Sequence, residues 1–433
     1  LSVVGGLAAL GVLLSSPAGR IEGARALAPG QAAGQPSGQT SGPAAGNASA
    51  QPDPAIVSLV GRLNLERYKA TLKELARFGD RREGTERNRR ALDWIEAQLT
   101  TYGCTAIARH RYELPPPGAG RGGRGRGRGT ARGEAPRVPA GTPDDPVRRG
   151  AGGKGYGAPT NNTNDPERQP DVALRELNRA PALPGPREQV YCTKIGLTTP
   201  SEMFIVSAHM DGVGYGEAVN DNGSGTALVM EIARILSAPE IVSDRSVRFI
   251  LWNSEELGER GSQAYVAERR TLQGREDPPG SGRYPEPGWR GVIQHDMLLW
   301  DHGMPAPDGQ VSPWQRPEAD INIEFQVRSA MAAASQQLAW LVKDANFLYA
   351  TDYPAAVGQH MQNTDSTSFM DHAPAVSLRE NERRDFIGVG WNPHWHRASD
   401  LFATYSDKDF RLGLNAAQTT LAAVVELAGV RVK

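Results

Sequence analysis

Residues 201–236, SEMFIVSAHMDGVGYGEAVNDNGSGTALVMEIARIL, decide the fold. The run MFIVSAHMD stays apolar until its last residues turn polar, the pattern of a buried strand that surfaces at its carboxyl end. A glycine-rich turn follows, and GSGTALVMEIARIL then carries apolar residues at helical spacing. Strand, polar turn and helix in this order make the repeating unit of an α/β sheet.

The same alternation continues outward. SVRFILWNSEE (246–256) reads as a second buried strand, with a helix around GSQAYVAERR (261–270). GVIQHDML (291–298), INIEFQV (321–327) and APAVSLRE (373–380) are further strand candidates, and residues 328–346 and 409–428 later helices. Upstream, residues 55–78 and 87–103 each predict one amphipathic helix. The expected fold class is α/β, with a mixed, mostly parallel central sheet covered by helices on both faces.

With 433 residues, 39% of them hydrophobic, the chain can bury a full core. Its formal charge of -1 excludes a molecule-wide attraction to nucleic acid or to an anionic membrane surface. Residues 1–20 open with LSVVGGLAALGVLL and small residues, which reads as a signal peptide remnant and predicts export to a secreted or periplasmic location, with an uncleaved N-terminal membrane anchor as the alternative. Residues 21–54 hold few large apolar side chains and are expected to form a disordered leader. A single domain is expected over 55–433, with a Gly/Arg/Pro-rich disordered insertion at 116–187. That insertion contains RGGRGRGRG (121–129), a run that can bind RNA, but no aromatic residue interleaves it and no nucleic-acid partner is expected. Cys104 and Cys192 each sit in a strand-like stretch. In an oxidising compartment they pair if those strands are neighbours, and two buried thiols are the alternative.

Strands of an open α/β sheet deliver ligand-binding residues at their carboxyl ends. Here one strand ends in His209-Met210-Asp211, another in Glu255-Glu256 and a third in His295-Asp296, in a chain with 8 histidines. His209 can coordinate a metal while Asp211, two residues on, orients its ring; alone, the pair is also an ordinary hydrogen-bonded couple. Asp221, in the turn NDNGSG before a helix, can bridge two metals or serve as a turn residue. Glu255 and Glu256 follow a buried apolar strand with no Arg or Lys beside them in sequence, so burial of both requires a cation. One of the two can ligate and the other act as general base.

These segments resemble the M28 zinc peptidases, a family of aminopeptidases, carboxypeptidases and related glutaminyl cyclases. SAHMDGVGYGEAVNDNGSGTALVMEIARIL is similar to the family's AHxDS…NDNGSG segment, and FILWNSEELGERGSQAYV to its EELGLxGS segment. The resemblance covers roughly residues 55–115 and 188–433 and implies a three-layer sandwich, the zinc-dependent exopeptidase fold. Carried over by position, it implies two Zn²⁺ per chain, with Asp221 bridging them. His209 and Asp296 complete one site, Glu256 and His396 the other, and Glu255 is the general base on the metal-bound water. His396 matches the last ligand through the spacing His396-x-x-x-Asp400, with His394 as runner-up and His295 as a neighbour.

The implied activity is exopeptidase hydrolysis of a peptide substrate, with aminopeptidase placed first and carboxypeptidase or dipeptidase second. Two departures bear on this. Trp395 stands where family peptidases usually have an oxyanion-holding Tyr, which resembles the cyclases. Ser366 stands where members often have His. A non-catalytic binding protein on the same scaffold is the remaining rival. Trp300, Trp314, Trp391 and Trp395 are candidate pocket walls, and Arg379 reads as packing or as a solvated charge.

Overall fold

The computed structural model describes residues 51–114, 166–300, 321–380, 392 and 394–433. The signal and leader readings up to residue 50, the Arg-Gly run, Trp314 and Trp391 lie outside the described residues. Helix α1 (Pro54–Val60) opens the described chain, capped by the Asp53 side chain. Next come α2 (Leu65–Ala76) and α3 (Glu86–Thr101), where two helices were expected upstream of the sheet. The apolar run 55–78 divides because Asn64 caps a new helix, accepting a hydrogen bond from the Arg67 amide.

Strand β1 (Ala108–Tyr112) leads to the segment before β2 (Arg187–Lys194). The expected irregular insertion 116–187 is corrected at its carboxyl end, where helix α4 (Val172–Arg179) forms. Its apolar pair, Leu174 and Leu177, spans a single turn and is only half-buried, and its one fully buried residue is polar. Asn178 donates to the Gly216 carbonyl at 2.8 Å and accepts from the Asp80 amide at 3.1 Å, while Val172 stays exposed.

The rest of the chain alternates as the pattern predicts. It runs β3 (Thr199–His209), α5 (Gly225–Leu236), β4 (Ile241–Val242), β5 (Arg245–Trp252), α6 (Arg260–Arg269) and β6 (Gly288–His295). It continues with β7 (Ile321–Glu324), α7 (Ala332–Tyr349), β8 (Ala355–Gly358), β9 (Ala375–Glu380), α8 (Asp407–Ala428) and β10 (Arg431–Val432). One mixed sheet has the order β1-β2-β5-β3-β6-β9-β7-β8, and β10 pairs with β4 beside it. Its four central strands, β5, β3, β6 and β9, are mutually parallel. β2 joins β5, and β7 joins β9, in antiparallel fashion.

Alternation along each central strand divides the core into two layers. Phe204, Val206 and Ala208 of β3, with Val247, Phe249 and Leu251 of β5, join the cluster that α5 and α8 also build. Met203, Ile205, Ile250 and Trp252 face the other way, against Tyr265 of α6 and Phe369. With both faces covered, the parallel strands present their carboxyl ends as the exposed chemistry of the sheet. Cys104, just ahead of β1, is bonded to Cys192 in β2, with their Cα atoms 6.1 Å apart.

Candidate metal centre

His209 is the last residue of β3, Asp296 follows β6 directly, and Glu255 and Glu256 follow β5 after a two-residue turn. Because these strands are parallel neighbours, their ends share one edge of the sheet. Asp221 reaches the same edge from the turn before α5, and His396 from a loop after β9. His209, Asp221 and Asp296 form one triad of possible ligand atoms; Asp221, Glu256 and His396 form another. The two share Asp221, whose Oδ1 lies 3.4 Å from His209 Nε2 and whose Oδ2 lies 3.0 Å from His396 Nε2. His209 Nε2 is 3.2 Å from Asp296 Oδ1, and His396 Nε2 is 3.0 Å from Glu256 Oε2.

Surrounding groups fix this arrangement. His209 Nδ1 donates to the Asp211 carbonyl at 3.0 Å, which leaves Nε2 for the cluster. The Asp211 carboxylate is farther from that ring, at 3.8 Å, and holds the next loop instead. It accepts from the amides of Glu255 at 3.2 Å and Glu256 at 3.3 Å. Asp400 does the same for the other turn, accepting from the amides of Asn220 and Asp221 at 2.9 and 3.1 Å. Its spacing from His396 marked it in the sequence, but this clamp did not show there. Arg81, fully buried, donates to the carbonyls of Met210, Glu217 and Ala218 and ties the loop ends together. Gly214, at φ +102°, packs so closely on the His396 loop that a Cβ would fall 2.5 Å from the His396 carbonyl carbon.

Arg379 corrects the reading as packing or a solvated charge. It is buried in β9, where its guanidinium donates to Asp296 Oδ2 at 2.6 Å and to the Asn363 carbonyl at 2.7 Å. β9 neighbours β6, so the pairing is set by sheet order, which local sequence does not carry. His295 is placed as a neighbour: Nδ1 meets the Ser207 carbonyl and Nε2 meets Thr420 Oγ1, with burial pushing its pKa down to about 4. His394 belongs to neither triad. Its Nδ1 lies 2.9 Å from Ser399 Oγ and its ring meets Trp300 edge-on. Ser366 points its hydroxyl at the Met361 sulfur. Trp395 stacks on His396, with ring centroids 3.9 Å apart, and lines the same pocket.

The electrostatics call for cations. Burial pushes Glu255 well above the usual carboxylate range, with Glu256 and Asp296 adding repulsion against the pull of His209. Burial also raises Glu256, opposed by His396. Asp221 is held far below its ordinary value despite burial, because both histidines donate to it. Glu256 Oε1 is buried with no hydrogen-bond partner among the described residues. Three buried carboxylates, Asp211, Asp221 and Asp296, and the half-buried Glu255 and Glu256 thus face Arg379 and two histidines. Two imidazoles and three carboxylates, one with an oxygen toward each side, suit a pair of divalent ions such as zinc. Beside them lies a pocket of about 160 Å³ lined by Glu255, Met297, Arg379 and Trp395 among others.

The fold and this site define an α/β protein with a candidate histidine-carboxylate metal centre at the carboxyl edge of its sheet. The sequence model of Peptidase family M28 matches residues 192–420, and the chain belongs to that family. Among curated relatives, Aminopeptidase YwaD of Bacillus subtilis is 42% identical over 77 residues, 17% of this chain and 16% of that protein. The probable lipoprotein aminopeptidase LpqL of Mycobacterium tuberculosis is 41% identical over 80 residues, 18% of this chain and 15% of that one. The matches thus span about a sixth of these relatives' length. Among solved structures, an aminopeptidase from Aneurinibacillus sp. strain AM-1 superposes with a TM-score of 0.53 at 17% identity, covering 88% of this chain and 97% of that one. A Porphyromonas gingivalis glutaminyl cyclase gives 0.50 at 14% identity, covering 84% and 99%. These likenesses establish the three-layer fold.

Proposed function

We propose that this chain is an exported zinc-dependent exopeptidase, an aminopeptidase before a carboxypeptidase or dipeptidase, holding two zinc ions. The observation that carries the proposal is Asp221, with one oxygen toward each histidine, in a pocket that Glu255 also lines. His209, Asp221 and Asp296 would hold one ion, and Asp221, Glu256 and His396 the other. Bound zinc supplies Lewis acidity to the scissile carbonyl and makes an attacking water more acidic. Glu255 would take that water's proton and deliver it to the leaving amine, the task of a carboxylate that lines the pocket without belonging to either triad. Asp211 holds the backbone of Glu255 and Glu256 in register, and Arg379 fixes the Asp296 carboxylate. The aminopeptidase names of the curated relatives favour that end of the peptide. The Cys104–Cys192 bond supports export, since such bonds persist in oxidising compartments.

The test is one peptide in three forms, free, blocked at its amino terminus and amidated at its carboxyl terminus, each with and without a chelator. The expected result is chelator-sensitive cleavage of the free and amidated forms and none of the blocked one. Cleavage of the blocked form with loss on amidation would make the protein a carboxypeptidase, and no cleavage of any form would overturn the reading. Trp395, stacked on His396 in the pocket wall, favours a second reading, cyclisation of amino-terminal glutamine. One zinc per chain together with a cyclised product would select it.

A further inference from the structure

A second recess, with a volume of about 530 Å³, adjoins the catalytic pocket. Glu259 and Asn363 line both, so Glu259 stands at their junction. Asp371, Gln263 and Gln326 add acceptor oxygens to the recess, while Met361 and Met370 give it a flexible apolar strip. None of its lining residues is Lys or Arg. Glu259 itself accepts a hydrogen bond from Thr367 Oγ1 at 2.5 Å, and among the described residues no Lys or Arg nitrogen comes within the 4.0 Å of an ion pair. Burial raises its pKa, offset in part by the Thr367 hydrogen bond and by the more distant charges of Arg379 and Arg260. A carboxylate therefore stands in the wall shared by the two recesses.

We infer that Glu259 is a specificity-determining residue: the recess receives the side chain of the substrate's terminal residue and selects a cationic one, Lys or Arg. This rests on the exopeptidase reading above. Lys and Arg combine an apolar stem with a charged head. The two methionines suit the stem, and Glu259, backed by Asp371 and the glutamine carbonyl oxygens, suits the head. An acidic terminal side chain would meet two carboxylates and be rejected.

The experiment uses the full-length, zinc-loaded protein and compares kcat/KM on the 4-nitroanilides of Lys, Arg, Leu and Glu for wild type, Glu259→Gln and Glu259→Leu. Wild type is expected to prefer Lys and Arg over Leu by about 10-fold or more, the scale of one unscreened charge contact. Both variants are expected to bring that ratio near one. Equal rates on Lys and Leu in wild type would overturn the inference while leaving the exopeptidase reading in place. So would a parallel loss on every substrate in Glu259→Gln, which would point to the α-ammonium instead. If nothing is cleaved, the function reading fails, and calorimetric binding of lysinamide against leucinamide decides the recess alone. A lysinamide preference lost in Glu259→Gln supports it, and equal binding overturns it.

Discussion

At Asp221, two histidines approach the two oxygens of one carboxylate. Replacing it with alanine takes away the group common to both triads and leaves His209 and His396 each with one carboxylate partner fewer. Asp221→Ala is therefore expected to lose zinc from both positions, read as metal per chain after dialysis against metal-free buffer; retention of the wild-type content would refute a shared ligand. Much of this cluster was legible because its members lie in short contiguous motifs. His209 and the Glu pair lie at or within a few positions of a strand end and Asp221 in the glycine-rich turn just before a helix, where the local pattern alone raises suspicion. Separating Glu255 from Glu256 required the family spacing, since adjacent glutamates look alike in composition. Arg379 and Asp400 were not legible in their roles. Each meets its partner through sheet order or loop packing across a sequence separation of 83 or 179 residues, and no local signal survives such a distance.

At the level of elements, β3, β5, β6 and β9 were readable because strands buried on both faces are nearly continuous apolar runs. α5 and α8 were equally plain, being long and apolar along the side that packs on the sheet. α4 was not. It is eight residues long, with only Leu174 and Leu177 as a one-turn apolar pair and Asn178 as its buried anchor, a signal too short to stand out beside a Gly/Pro/Arg-rich stretch. Its segment matters nonetheless, because Gln169 just ahead of it donates to the carbonyls of Tyr215 and Ala398, on the two loops that flank the metal centre. The link between Cys104 and Cys192 ties the approach to β1 to β2 across a sequence separation of 88. A closed loop of that size limits the unfolded chain, and reduction is expected to cost about 2–4 kcal/mol of stability. Chemical denaturation with and without reductant would measure this, and an unchanged midpoint would contradict a stabilising role.

For the molecule as a whole, alternation along the chain gave the layers and the site at the sheet edge, while substrate choice, on the inference drawn above, would lie in side chains such as Glu259 whose neighbours are set by the tertiary fold. No helix among the described residues is long and apolar enough to cross a membrane. The near-balanced charge leaves recognition to the pocket rather than to long-range steering. Fold, paired triads and Glu255 together make one claim, that a carboxylate beside a two-zinc centre moves the proton during hydrolysis. Metal content and peptide turnover measured on the same preparation of Glu255→Gln test it most directly. The expected result is about two zinc ions per chain, as in wild type, with kcat lower by on the order of 10²–10⁴. Full zinc content with undiminished kcat would contradict it.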